Sequence, residues 1–250
     1  MPIEFEVADH DPDVLASPTG RLTFADVAKL RLSLDKCLAE QPASVLIGLN
    51  GLTVDDPLTL TVFLAFSADA ARWPGVPVLL CGPTDEVRTM LAAAAFRRLP
   101  VFESVAAGRE HVRTHRRVRS TLSEQLLPIA GAARHARDVT TEACLRWDLP
   151  HLVGPATLIA SELVSNAAVH ASTIAHLRLT LGERHLTIAV RDGSTQPPVV
   201  PDPAAGIAER GNGLKLVSVS ALSWGWLPAE SGKVVWASLS RRVASSGRAY

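Results

Sequence analysis

Ala43-Ser44-Val45-Leu46-Ile47-Gly48-Leu49 is a short apolar run bounded by breakers, with Asn50-Gly51 closing its far side. A run of this kind reads as a strand buried on both faces. Val76–Cys81 (VPVLLC) repeats the pattern, and Ile3–Val7 alternates like a half-buried strand. Between the runs lie helical patterns. Phe24–Ala39 carries Val27, Leu30, Leu34 and Leu38 at spacings of three and four, the stripe of an amphipathic helix. Leu58–Trp73 reads as a second helix, with Pro57 suited to its first turn. Thr84–Leu99 reads as a third, opened by Pro83-Thr84 and closed by Arg97-Arg98, whose charges complement the helix dipole. Strands alternating with helices imply a small α/β layer structure.

The second half has a different pattern. Residues 108–124 are polar and Arg-rich, with Arg109, Arg113, Arg116, Arg117, Arg119, His111 and His115. Charge runs of this kind decorate surfaces, so a solvated helix tail joining two domains is expected. The alternative is a docking surface for an acidic partner. Ile129–Arg146 and Pro155–Ala171 follow as two helices. Ala175–Leu181 and His185–Arg191 alternate as strands around a turn at Gly182-Glu183. Pro197, Pro198, Pro201 and Pro203 make residues 195–206 a loop. Leu214–Leu222 is a short helix, and Trp224–Pro228 and Lys233–Ser240 are closing strands. No internal repeat is visible.

The chain has 250 residues, 47% hydrophobic and 20% charged, with mean hydropathy +0.18. That is enough apolar material for packed cores, and it excludes wholesale disorder. Lys+Arg and Asp+Glu both number 25, so a strongly basic nucleic-acid binder is not expected. The charge is uneven: residues 1–110 carry 9 basic and 15 acidic groups, whereas residues 111–141 carry 6 and 2. The break places a first domain at 1–110, a linker or helix tail at 111–124, a second domain at 125–242 and a tail at 243–250. Cys37, Cys81 and Cys144 are far apart and in no metal-type spacing, which reads as free thiols in a reducing compartment. The opening Met-Pro-Ile-Glu-Phe-Glu-Val has acid where a signal peptide needs base. No apolar run of about 18 residues is read, so no membrane span is expected. The expected location is the cytoplasm.

Three features of the second half carry chemistry. On the helix at 155–171, Glu162, Asn166 and His170 are spaced by four and share one face. Polar groups on so apolar a helix need partners. The row is either the wet face of the helix or a ligand-facing set: a carboxylate for base work, an amide oxygen for a hard cation, and an imidazole. Asp192-Gly193-Ser194 ends a strand and leads into the Pro-rich segment, which is longer than a tight hairpin needs. Gly211-Asn212-Gly213-Leu214-Lys215 places two glycines at a helix entry, where free amides and the dipole favour an anion. Neither a Walker A motif nor a dinucleotide fingerprint is present.

Taken in order, Glu162–Ala171, Val190–Ser194 and Gly211–Val217 resemble the Bergerat-fold (GHKL) ATPases over residues 125 to 240. The nearest likeness is to the short-lid anti-sigma-factor serine/threonine kinases of bacteria. The resemblance implies an α/β sandwich, ATP and Mg²⁺ as cofactors, Asn166 as the metal ligand and Glu162 as general base. It implies that Asp192 accepts from the adenine amino group, and that Gly211, Gly213 and the following amides (Asn212, Leu214, Lys215) cradle phosphates. Gly193 and His170 belong to the same implied site, and Arg210 adds a cation near it. A homodimer is a further implication. The Thr of the usual Gly-Lys-Thr-Val-Trp strand is Val234 here, which weakens the expected hold on adenine.

Residues 1 to 110 resemble a STAS domain, the fold of anti-sigma-factor antagonists, on the strength of Gly20–Thr23 and Val45–Thr53. Such domains commonly read Asp-Ser-Ser-Gly, with the second Ser phosphorylated. Here Asp56-Pro57-Leu58-Thr59 stands, and Leu58 has no hydroxyl. The phosphorylation switch is therefore lost unless Thr59 or Thr61 substitutes. Two functions follow. One is an ATP-binding anti-sigma-type kinase with a fused, degenerate STAS domain, acting on a sigma factor or a STAS-type antagonist. The other is a binding module that sequesters a partner without phosphoryl transfer. A sensor-kinase fragment is disfavoured, because His111 and His115 lie in a charged run.

Overall fold

The computed structural model describes residues 3–10, 12–115, 119–199 and 213–242. The chain divides into two compact units, Met1–Arg117 and Val118–Tyr250.

The first unit is a mixed sheet with helices on both faces. Its strands are β1 (Glu4–His10), β2 (Asp13–Leu22), β3 (Val45–Gly48), β4 (Leu52–Val54), β5 (Val78–Cys81) and β6 (Val101–Phe102). They lie in the order β1-β2-β3-β5-β6, with β4 beside β2. Only the β1–β2 pair is antiparallel. β3 is central and wholly buried, which is why its sequence is apolar without alternation. The helices are α1 (Phe24–Ala39), α2 (Thr61–Arg72), α3 (Asp85–Leu91) and α4 (Val105–His115).

Thr23 opens α1. Its backbone N–H and hydroxyl both donate to the Asp26 carboxylate, at 3.2 and 2.6 Å. That hydroxyl holds the Asp26 carboxyl below its ordinary range. Leu30, Leu34 and Leu38 are buried, as the stripe requires. Arg31 ties α1 to α2: it reaches Asp35 at 2.8 Å and Asp69 at 2.7 Å, and its guanidinium lies over the Phe66 ring. On the other face, Val112 of α4 packs on Leu46, Leu79 and Cys81. Gly108 lets α4 approach this closely; a Cβ there would come within 2.6 Å of Cys81 Sγ and 3.2 Å of Leu46.

The second unit is a five-stranded antiparallel sheet in the order β10-β11-β9-β8-β7. Its strands are β7 (Ser120–Leu126), β8 (Ala175–Leu181), β9 (His185–Asp192), β10 (Ser223–Ala229) and β11 (Gly232–Ser240). Helices α5 (Ala132–Arg146), α6 (Val153–Asn166) and α7 (Gly213–Ser220) complete the layer. Ile159, Leu163 and Val164 of α6 share one core with Leu177 and Leu179 of β8, Ile188 and Val190 of β9, and Val235 and Ala237 of β11. Pro150–Val169 has the length and hydropathy of a membrane span, which the sequence reading did not anticipate. Ala156, Ile159, Ala160, Leu163 and Val164 are buried in the core, as on a core helix, whereas Val169 is 72% exposed. The first fold is α/β and the second, helices on an antiparallel sheet, is α+β, as expected of the chain.

Several elements depart from expectation. β2 was not read as one strand, because Ser17-Pro18-Thr19-Gly20 looks like a break. β2 pairs with β3 over Val14–Ala16 and with β4 over Gly20–Leu22, and Pro18 falls in the gap between those partners. The helix expected to reach Leu99 ends at Leu91, and a 3-10 turn follows at Ala94–Phe96. The stretch 111–124, expected as a linker or helix tail, divides instead. Residues 111–115 end α4, and 120–124 belong to β7, which pairs with β8.

Burial pushes the Cys81 and Cys144 thiols up to about 11, so neither forms a reactive thiolate at neutral pH. On Cys81 this outweighs the opposing pull of Arg109. Gly108→Val drives two methyl groups into Cys81 and Leu46 and is expected to lower unfolding free energy by about 1–3 kcal/mol. Urea denaturation followed by circular dichroism measures this; an unchanged midpoint would refute the close-packing account of Gly108.

Candidate functional site

The turn that follows β4 holds the first group of candidate residues. Pro57–Leu60 is a 3-10 turn that runs directly into α2. The Asp56 carboxylate caps it by accepting the Leu58 N–H at 2.8 Å. Leu58 is 62% exposed. Thr59 is 1% exposed and its hydroxyl donates to the Asp56 carbonyl at 2.8 Å, so it offers nothing to a modifying enzyme. The Thr61 hydroxyl donates to the Leu58 carbonyl at 2.6 Å from an exposed position.

In the second unit, Glu162 and Asn166 lie one turn apart on α6, both half-buried. The α-helix ends at Asn166, and Ala167–Ala171 continues as a π-helical turn closed by Ser172 in the left-handed region, at φ 51°. The four-residue row therefore stops at Asn166, because the wider turn changes the angular step. The side chain of His170 lies outside the described residues, as do Arg210, Gly211 and Asn212. Gly213 is the first residue of α7, and a Cβ there would stand 2.6 Å from Glu162 Oε2. The fold thus brings Glu162 and Gly213 together from distant parts of the chain. Leu214 is 4% exposed and its side chain packs in the core. Lys215 is half-buried one residue further on.

Asp192 ends β9 on the helix side of the sheet, in phase with Val190 and Ile188. Directly opposite it in the register stands Lys233. Lys233 Nζ donates to Asp192 Oδ1 at 2.9 Å, with both side chains buried, and to the Ser194 carbonyl at 3.4 Å. The Ser194 N–H donates to the same Oδ1 at 2.8 Å. Gly193 N–H donates to Thr173 Oγ1 at 2.9 Å, which ties the loop to the end of the π turn. Gly232 makes the approach of β11 feasible. Its φ is +112°, and a Cβ would lie 1.9 Å from the Asp192 carbonyl oxygen.

This geometry corrects the reading of Val234 as the neighbour of Asp192. Val234 pairs with Arg191 and so points to the opposite face of the sheet. Lys233 stands at the position beside the carboxylate, and sequence reasoning did not single it out. A usable signal existed: Lys233 is in phase with the apolar Val235, Ala237 and Leu239. A lysine at an inward position demands a buried anion. The carboxylate expected to read adenine is already paired. An amino group approaching the carboxylate meets an ammonium already bound to it, and displacing Lys233 would leave a buried charge unpaired.

Removing one member of such a pair strands the other. Asp192→Ala is expected to cost about 3–5 kcal/mol in unfolding free energy. Urea titration of the full chain checks this; a loss below about 1 kcal/mol would mean that the pair is exposed enough to be solvated.

Residues 4–108 match the STAS domain family. Among solved structures, the chain is similar to an anti-sigma factor antagonist from Mycobacterium paratuberculosis, at 19% identity, covering 45% of this chain and 95% of that one, with a TM-score of 0.39. It is also similar to the anti-sigma factor antagonist SpoIIAA in its unphosphorylated form, at 15% identity over 44% of this chain and 97% of that one, TM-score 0.38. A stressosome structure is similar at 15% identity, over 45% and 100% of the respective chains, TM-score 0.36. No curated protein matches the chain. Residues 4–108 of this protein are a STAS domain.

Proposed function

We propose that the chain is a partner-switching regulator that acts by holding a protein partner rather than by passing phosphate to it. The observation that carries this reading is Leu58, 62% exposed at the capped start of a turn. In the resemblance described above, that position carries the phosphorylated serine. A phosphate there would bring charge to the first turn of a helix and change what docks on it. Leucine offers apolar surface that no kinase can alter, and the neighbouring Thr59 is buried. The STAS unit then stays permanently in the binding state of its switch. The partner expected is a sigma factor regulator of the anti-sigma type, and the expected setting is the cytoplasm.

The test uses an anti-sigma-factor serine kinase, labelled ATP and a pull-down on the full chain. Wild type is expected to bind the kinase and take up no label in residues 53–61. Leu58→Ser is expected to gain label, and Leu58→Asp to weaken capture about tenfold or more by placing charge on an apolar contact. Label on wild-type residues 53–61 would refute the loss of the switch.

A second reading, the anti-sigma-type serine/threonine kinase with ATP and Mg²⁺, is favoured by Glu162, whose carboxylate lies against the first residue of α7. On that reading Asn166 is the metal ligand, the substrate is a STAS-type antagonist, and the chain works as a homodimer. Incubation with a STAS antagonist and labelled ATP decides it. Transfer that is present in wild type and abolished in Glu162→Ala supports the kinase. Absence of transfer by wild type leaves the binding reading.

A further inference from the structure

We propose that Lys233 is the specificity-determining residue of the second unit: it is a built-in occupant of the carboxylate that would read a purine amino group, and it closes the unit to adenine nucleotides. The inference rests on the likeness of this unit to a nucleotide-binding scaffold, and it goes beyond the partner-binding role assigned to the first unit.

The register of β9 and β11 sets Lys233 opposite Asp192. Both contacts described for the carboxylate, from Lys233 Nζ and from Ser194 N–H, fall on Oδ1. The ammonium also holds the Ser194 carbonyl, so the loop leaving β9 is fastened to the same group. Val234 faces the other side of the sheet, so the next residue of β11 supplies no hydroxyl beside Asp192. Gly232 lets the entry of β11 approach the Asp192 backbone, where a Cβ would stand 1.9 Å from the carbonyl oxygen.

An exocyclic amine is a donor, as Lys233 is. The two address one carboxylate, whose charge the resident, covalently tethered ammonium already neutralises. A ligand that displaced it would leave a buried cation without a partner, a penalty on the order of a hundredfold or more in affinity. The pair therefore satisfies the carboxylate and fixes the loop leaving β9.

The experiment is calorimetric titration of the full chain with a non-hydrolysable ATP analogue and Mg²⁺. Wild type is expected to give no saturable binding up to about 1 mM, an affinity too weak to exceed roughly 4 kcal/mol. Lys233→Thr, which removes the ammonium and supplies a hydroxyl, is expected to bind at least about tenfold more tightly. Adding Asp192→Asn to that variant is expected to abolish the gain. Lys233→Met, which keeps the length of the apolar stem without the charge, serves if Lys233→Thr fails to fold by circular dichroism. Two results overturn the proposal. One is wild-type binding that weakens when the analogue carries a dimethylated amino group, which would show the carboxylate open to adenine. The other is a folded Lys233→Thr or Lys233→Met with no gain. Either leaves the Leu58 reading intact, because partner capture by the STAS unit is measured separately.

Discussion

Lys233 and Asp192 meet because two antiparallel strands run in one particular register, 41 residues of chain apart. The ammonium carries a charge that the interior tolerates only beside a counter-charge, and the carboxylate is in the same position. Each therefore fixes the other, and together they fix their surroundings. Ser194 is held from two sides, through its N–H and its carbonyl. Gly232 must remain glycine so that the backbones can approach. The end of β9, the start of β11 and the first residues of the loop between them behave as one joint.

Much of the architecture is legible in the residues. α1 spans Phe24–Ala39 as its stripe foretells, and β8 spans Ala175–Leu181 as its alternation does. These are the elements whose burial is one-sided, so that periodicity records it directly. β3 and β5 are legible for the opposite reason: they are covered on both faces, and their composition carries no polar residue to confuse the reading. β2 is hidden because its partner changes along its length, so that a proline and a glycine sit inside a continuous strand. The second half of α4 is hidden by its charge, since only Gly108 and Val112 of that helix are buried.

The site is legible residue by residue and not as a set. Spacing alone puts Glu162 and Asn166 on one face, but nothing local tells that Gly213 packs against Glu162. Lys233 is masked by its neighbour, because the motif places its usual hydroxyl at position 234. A shift of one position along a strand exchanges the two faces of a sheet, so Val234 and Lys233 have opposite roles despite being neighbours. The phosphoacceptor position in the first unit is different. There the missing hydroxyl is visible in the sequence, while the burial of Thr59, which removes the nearest substitute, is a property of the fold alone.

β7 was missed because Ser120-Thr121-Leu122-Ser123-Glu124-Gln125 looks like a solvated tether. It is the last strand of its sheet, with β8 on one side only. A terminal strand exposes a row of backbone donors and acceptors that other chains can template upon. An apolar β7 would have been easy to recognise and hazardous to make. Its polar side chains discourage fibril-like stacking, so the same chemistry that disguises the strand guards its open edge.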